Sequence, residues 1–281
     1  MRRARKTPRR PRPRPPDRRA SAVAAMFMGL TIANVVGVPL ATWAGDALGW
    51  RASFWGIAGI GVIVMAALRL TLPDLPAPAG GKMAAELRVL GRGPVLAALA
   101  LTVIGSSAMF TVFTYIAPIL REQTHASLAF VTAMLVTYGL GLTLGNWLGG
   151  RFADKSVDRT LIVTLAGLSA ILAVFAFAMP FAVPTSILIF LWGVASFALV
   201  PPLQVRVMAA AADAPNLASS MNIGAFNLGN AVGAALGGAV IAGGLGYPAV
   251  SVAGAVAAAL GLVLVLVLTR RPAAAGSAVS G

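Results

Sequence analysis

Residues able to do chemistry are scarce in this chain, and the densest group is Arg151, Asp154, Lys155, Asp158 and Arg159, five charges within nine residues. They fall in the stretch Gly145–Thr160, between two long apolar runs. A charged knot in that setting is most simply a short loop joining two membrane helices, and the rest of the chain decides whether it is also moving machinery. Other reactive groups are nearly absent. There is no cysteine, which removes disulfides, thiolate nucleophiles and Cys-ligated metals together. The single histidine is His125, and all eight acids (Asp17, Asp46, Asp74, Glu86, Glu122, Asp154, Asp158 and Asp213) lie outside or at the edge of apolar runs. Metal-dependent and His-dependent catalysis therefore have almost no raw material, and neither a metal nor a cofactor is expected. An intramembrane serine protease is the remaining enzymatic alternative, and it would want a histidine within the bilayer.

Inside the apolar runs the polar side chains are few. They are Asn34, then Thr102, Ser106, Ser107, Thr111 and Tyr115, then Thr137 and Tyr138, then Asn222, Asn227 and Asn230. An asparagine in hydrocarbon must find a partner or a water-filled cavity. Asn34, Asn227 and Asn230 are candidates to line a substrate path, with Ser106, Thr111, Tyr115 and Tyr138 beside them; an interhelical hydrogen bond is an equal alternative for each asparagine. No Asp, Glu, Lys, Arg or His sits well inside a run, so a proton relay has no obvious carrier. Small residues recur at four-residue spacing as Gly141, Gly145 and Gly149, and again as Gly229, Gly233 and Gly237. Faces without Cβ atoms let membrane helices approach closely, which suits tight static packing and also suits helices that rock against a partner. Gly37 is a further packing candidate. Pro39 and Pro118 should bend or end their helices.

These residues need membrane helices to position them. Of the 281 residues, 58% are hydrophobic and only 11% charged, and the mean hydropathy is +0.86, against about 25% charged residues in soluble domains. The chain is an all-α integral membrane protein whose solvent is the lipid bilayer. A hydrocarbon core needs about 20 apolar residues per helix, and by that measure there are eight spans, near 22–45, 52–72, 95–118, 128–149, 160–181, 184–204, 218–241 and 247–269.

The net charge of +14 resembles a nucleic-acid signal until its position is considered, since ten of the 22 basic residues fall in the first 19 positions. That Arg/Pro-rich tail, 1–19, is expected to be disordered and cytoplasmic, and no nucleic-acid partner is expected. With the tail inside, Arg69, Lys82, Arg88, Arg92, Arg151, Lys155, Arg159, Arg206, Arg270 and Arg271 also fall inside, and only Arg51 and Arg121 outside. The positive-inside rule thus favours a multi-pass cell-membrane protein with both termini cytoplasmic. Residues 20–72 form a two-helix piece, 73–93 a cytoplasmic linker opened by Pro73, Pro76 and Pro78, 94–271 a six-helix piece, and 272–281 a disordered tail. Asn34–Gly37 followed by Gly49-Trp50 resembles Asn230–Gly233 followed by Gly246-Tyr247, so the two-helix piece reads as a copy of the last two helices.

Three stretches carry a family resemblance: Phe113-Thr114-Tyr115-Ile116-Ala117-Pro118, Gly150 to Arg159, and Pro201-Pro202-Leu203-Gln204-Val205-Arg206. The chain resembles the major facilitator superfamily, in particular bacterial drug- and sugar-efflux proton antiporters of the arabinose-efflux-permease type, from near Asp17 to Arg271. The resemblance implies that the eight spans are equivalent to helices five to twelve of that fold, with no counterpart to the first four. It implies efflux of small amphipathic or sugar-like solutes by alternating access, with protons as the coupling ion in the complete form. The alternative is a transport-incompetent fragment or a mis-assigned start. The family's loop signature is matched by Gly150, Asp154, Lys155 and Arg159, with Val157 in place of its second glycine. By pseudo-symmetry it implies a gating clasp of Gly150, Arg151, Asp154, Lys155 and Arg159 that aims Asp154 at the start of the first span, near Ser21.

Overall fold

A backbone in hydrocarbon must satisfy its own N–H and C=O groups, and among the described residues this chain does so with helices alone. The computed structural model describes residues 33–71 and 88–270. The tails 1–19 and 272–281, Ser21 and most of the linker lie outside the described residues, as does the side chain of Asn34. A π-helical turn, Ala33–Gly37, leads into α1 (Val38–Leu48) and α2 (Trp50–Thr71). There follow α3 (Gly93–Phe113), α4 (Ile116–Gln123), α5 (Leu128–Ala153), α6 (Val157–Ala178), α7 (Ala182–Ala198), α8 (Val200–Ala210), α9 (Pro215–Ala242) and α10 (Gly246–Arg270).

Seven helical stretches among the described residues are long and apolar enough to cross a membrane. The expected first span, 22–45, enters the described residues only at 33, so that expected eighth crossing lies partly outside them. Two of the seven are broken, and proline explains both. Pro118 has no N–H to offer the carbonyl of Thr114, and the helix is interrupted between Phe113 and Ile116. Pro201 and Pro202 likewise leave the carbonyls of Phe197 and Ala198 without their helical donors, and α7 gives way to α8 there. Turn chemistry sets the remaining ends. Ser127 and Ser156 cap α5 and α6, each hydroxyl accepting a backbone N–H at 3.3 Å. The turn between α9 and α10 takes Gly244 and Gly246 at positive φ, and Gly49 does the same between α1 and α2.

The charged stretch is less of a loop than its composition suggests. Gly150 and Arg151 belong to the last turn of α5, while Asp158 and Arg159 belong to the first turn of α6, leaving only Asp154–Ser156 between them. The 26 residues of α5 rise about 39 Å, which carries its charged end beyond a hydrocarbon core of about 30 Å.

The bundle from α3 to α10 is built from the pairs α5 with α7, α3 with α9, and α6 with α10, with α3 and α10 also in contact. Its core is aromatic and aliphatic: Trp192, Phe175, Leu168, Leu172 and Met179 are buried beside Tyr138. The hairpin α1–α2 meets this bundle through α5, and α2 buries none of its own residues. Lipid tails are as apolar as leucine, so an exposed apolar helix is no penalty in a bilayer.

Candidate transport site

The two glycine stripes meet carbonyl oxygens in register. A Cβ added to Gly141 would lie 2.5 Å from the carbonyl oxygen of Phe190, and one added to Gly145 or Gly149 would overlap the carbonyl of Val194 or Ala198. Both series advance by four residues, so α5 and α7 run parallel with one helix turn matched to one. From the opposite helix, Gly193 faces the carbonyl of Tyr138 at 2.5 Å by the same measure. The α3–α9 pair repeats the device: Gly229, Gly233 and Gly237 sit against the carbonyls of Val103, Ser107 and Thr111. Close Cα–H···O=C contacts recur in such crossings. Ala198 is a special case, because Pro202 removes the helical donor to its carbonyl and Gly149 gives that carbonyl a close neighbour. At Gly37 an added Cβ would meet nothing within 4 Å among the described residues.

Most polar residues named as path candidates have partners inside the bundle. Ser106 is buried and donates to the carbonyl of Thr102 at 2.7 Å, within the α3–α9 contact made by Gly229. Thr111, also buried, donates to Ser107 at 2.7 Å. The Tyr115 hydroxyl crosses to α9 and donates to the carbonyl of Ala234 at 2.8 Å. Tyr138 is buried, stacked on Phe113 at 4.9 Å between ring centroids and 4.6 Å from the Trp192 ring, its hydroxyl 3.4 Å from Ser196 Oγ.

The asparagines of α9 differ. Asn227 is exposed, and Asn230 is half-buried with a buried Oδ1 that has no hydrogen-bond partner among the described residues. Asn227 belongs to a stripe of small and polar exposed residues, Ser220, Gly224, Asn227 and Ala231, at three- and four-residue spacing. This stripe lies on the side of α9 away from Gly229, Gly233 and Gly237. An exposed asparagine amid a spanning helix favours a water-filled cavity over lipid.

Spacing along the sequence gives no sign of a polar network, buried at Thr102 and Asn222, nearer the end of the bundle that carries the α5–α6 turn. Thr102 Oγ1 donates to Asn222 Oδ1, Asn222 Nδ2 to Gln204 Oε1, and Gln204 Nε2 to Ser219 Oγ, each at 2.7 Å. It ties α3, α9 and α8 together. The signal that could have found it is depth, since Thr102, Asn222 and Gln204 all fall within three turns of the helix ends at that side. Asn146 Oδ1 and Trp192 Nε1 are equally silent in the sequence, and both are buried without a partner among the described residues.

The charged end has its own pairs. Arg206 holds Asp158 in an ion pair linking α8 to α6, and Arg92 meets Asp213 at 2.6 Å between exposed side chains. Arg151 lies over the Trp147 ring at 5.7 Å. Asp154, Lys155 and Arg159 are exposed and make no ion pair among the described residues. Asp154 closes α5 through its backbone N–H, and the expected partner near Ser21 lies outside the described residues. Exposed ion pairs contribute about 0–1 kcal/mol. Asp213→Ala is therefore expected to lower the melting temperature by no more than a few degrees, measured on purified protein in detergent.

A parallel-zippered helical bundle with broken helices, an asparagine on an open face and basic residues gathered at one end is a multi-pass membrane protein built like a transporter. The model of the Major Facilitator Superfamily matches this chain over residues 14–214 and again over 99–281, and the chain belongs to that family, one of transporters and not of enzymes. It is 53% identical over 261 residues to the inner membrane transport protein YdhP of Escherichia coli (strain K12), covering 92% of this chain and 66% of that protein. It is 31% identical over 255 residues to the probable sugar efflux transporter of Pasteurella multocida (strain Pm70), covering 90% of this chain and 63% of that one. The chain thus spans a little under two thirds of the length of these relatives. A bacterial homologue of the human lysosomal transporter Spinster, crystallised inward-facing and unoccupied, shares the fold at a TM-score of 0.50 and 15% identity, over 90% of this chain and 70% of that one.

Proposed function

We propose that the chain is a transmembrane efflux transporter of the inner membrane that exports small amphipathic or sugar-like solutes by alternating access, coupled to protons in its complete form. The observation that carries this reading is the exposed stripe Ser220–Gly224–Asn227–Ala231 on α9, which gives a spanning helix the small, polar face that a solute path requires. The names of the relatives, inner membrane transport protein and probable sugar efflux transporter, support the direction and the solute class. In this reading the eight helices are equivalent to helices five to twelve of the family fold. Residues 20–72 close the N-terminal half, 73–93 link the halves, and 94–271 are the C-terminal half. The gathering of Arg88, Arg92, Arg151, Lys155, Arg159, Arg206 and Arg270 at one end of the bundle supports a cytoplasmic location for that end and for both termini. Gly150, Arg151, Asp154, Lys155 and Arg159 act there as a clasp that holds the cytoplasmic side closed.

Two measurements test this. A periplasm-active reporter fused after Asp46 should be active and one fused after Asp154 inactive; the reverse would invert the topology. Export of a fluorescent amphipathic solute or a labelled sugar from cells should depend on the chain and fall at least tenfold in Asp154→Asn. A second reading is that this chain alone does not transport. It is favoured by α2, which buries no residue and leaves the α1–α2 hairpin tied to the bundle through α5. Proton-coupled export by this chain alone would rule that reading out.

A further inference from the structure

We propose that the pocket of about 410 Å³ at the α5–α6 turn binds the headgroup of one anionic phospholipid, whose acyl chains run along α6. The inference rests on the chain spanning a bilayer and not on the transport reading. The pocket is lined by Phe152, Lys155, Arg159, Thr160, Val163 and Ala198, among others, and its volume falls in the range of about 300–1,000 Å³ common to small-ligand sites. Its walls are ordered by depth. Lys155 and Arg159 stand at the level of the turn, while Val163 stands a helical turn deeper along α6 and is 65% exposed.

Charge complementarity names the occupant. Asp158 is taken by Arg206, and Asp154 is not part of the lining, so among the described residues the two pocket cations have no carboxylate to neutralise them there. The threonine hydroxyls are already spent on backbone, Thr160 donating to Ser156 and Thr164 to Thr160, while the Ser156 hydroxyl accepts from the Arg159 N–H and keeps its own proton to offer beside the two cations. Lys155 and Arg159 are therefore the charged donors left for an anion, and a phosphodiester is the anion that a bilayer surface supplies. The apolar half of the ligand has a track as well. Val163, Ala166, Ala170, Val174 and Phe177 form one exposed stripe at three- and four-residue spacing along α6, so this face looks into hydrocarbon. A soluble phosphate would use the cations and leave the track empty; a lipid uses both.

Native mass spectrometry of the full chain in detergent, titrated with phosphatidylglycerol or with phosphatidylcholine of the same chains, tests this. One phosphatidylglycerol should bind in clear preference to phosphatidylcholine. Lys155→Gln with Arg159→Gln should weaken it about 30-fold, since each basic group near a headgroup is worth roughly a factor of five. Val163→Trp, which fills the pocket from a lipid-facing position, should weaken it with both charges intact. Arg159→Lys and the distant Arg121→Gln should retain it, and all four variants should melt like the parent because the altered side chains are exposed. Equal binding of phosphatidylcholine, or undiminished binding by the double variant, would overturn the proposal. Displacement by glycerol 1-phosphate at concentrations equal to the lipid would also overturn it, by assigning the pocket to soluble anions.

Discussion

Leucine in place of Gly145 is expected to prevent stable packing of α5 against α7, and through it the assembly of the whole α3–α10 bundle. A Cβ at this position overlaps the carbonyl oxygen, carbonyl carbon and Cα of Val194, all of them backbone atoms that no rotamer change can move aside. Leucine is the better helix former by about 1 kcal/mol, which opposes the loss. Overpacking a well-packed core costs about 1–3 kcal/mol even where side chains can yield. Here they cannot, and separating the helices also breaks the matched contacts of Gly141 with Phe190 and of Gly149 with Ala198. The steric term should win, with a net loss of about 3 kcal/mol or more. Gly150→Leu is the matched control, since a Cβ at Gly150 meets nothing within 4 Å while the helix-propensity gain is the same. Fluorescence-detected size exclusion after a heating series would read both. A Gly145→Leu protein that melts with the parent would show that the α5–α7 crossing is looser than its geometry.

The stripes behind that prediction are legible in the amino-acid sequence, because spacing along one helix fixes which residues share a face. Gly141, Gly145 and Gly149 mark a close-packing edge whatever their partner is, and Pro118 announces its break in the same way. The family, too, is legible, in Gly150, Asp154, Lys155 and Arg159 and in the motif from Pro201 to Arg206. Which polar residue meets which is not, since it depends on the rotation and depth of one helix relative to another. By sequence Ser106 and Thr111 are candidates for a solute path as much as Asn227, yet their hydroxyls return to their own helix while Asn227 faces outward. A serine or threonine can hydrogen-bond the preceding turn without any neighbour, and asparagine does so less readily, so the asparagines are the better guide. Charge taken as a mark of loop overstates the length of the α5–α6 turn. Charged residues are compatible with a helix once it leaves hydrocarbon, and Ser156 supplies a cap that restarts the helix almost at once.

Asn222 is expected to be the polar residue whose loss costs the bundle most. Its amide is the centre of the chain from Thr102 to Ser219, accepting from one helix and donating to another, and it is buried. Leucine at this position would strand those two partners unequally. The Thr102 hydroxyl can turn back to the carbonyl of Ala98, already 3.3 Å away, and so loses little. The Oε1 of Gln204 has no such fallback among the described residues. An acceptor left unsatisfied costs about 1–3 kcal/mol when buried, whereas interhelical hydrogen bonds in membranes average about 0.6 kcal/mol. Gln204 is half-buried, which places the expected loss between these limits, at about 1–2 kcal/mol. The pairwise part can be isolated. Gln204→Leu combined with Asn222→Leu removes acceptor and donor together, and should be no less stable than Asn222→Leu alone, with a coupling of about 1 kcal/mol in the double-mutant cycle. Additive losses would mean that the two side chains act independently and that α8 is held to α9 by packing instead. Because α8 follows the proline break after Ala198, its attachment depends unusually on such side-chain bonds. A cysteine introduced at Ala209, on the exposed side of α8, should then report any loosening through faster modification in Asn222→Leu than in the parent.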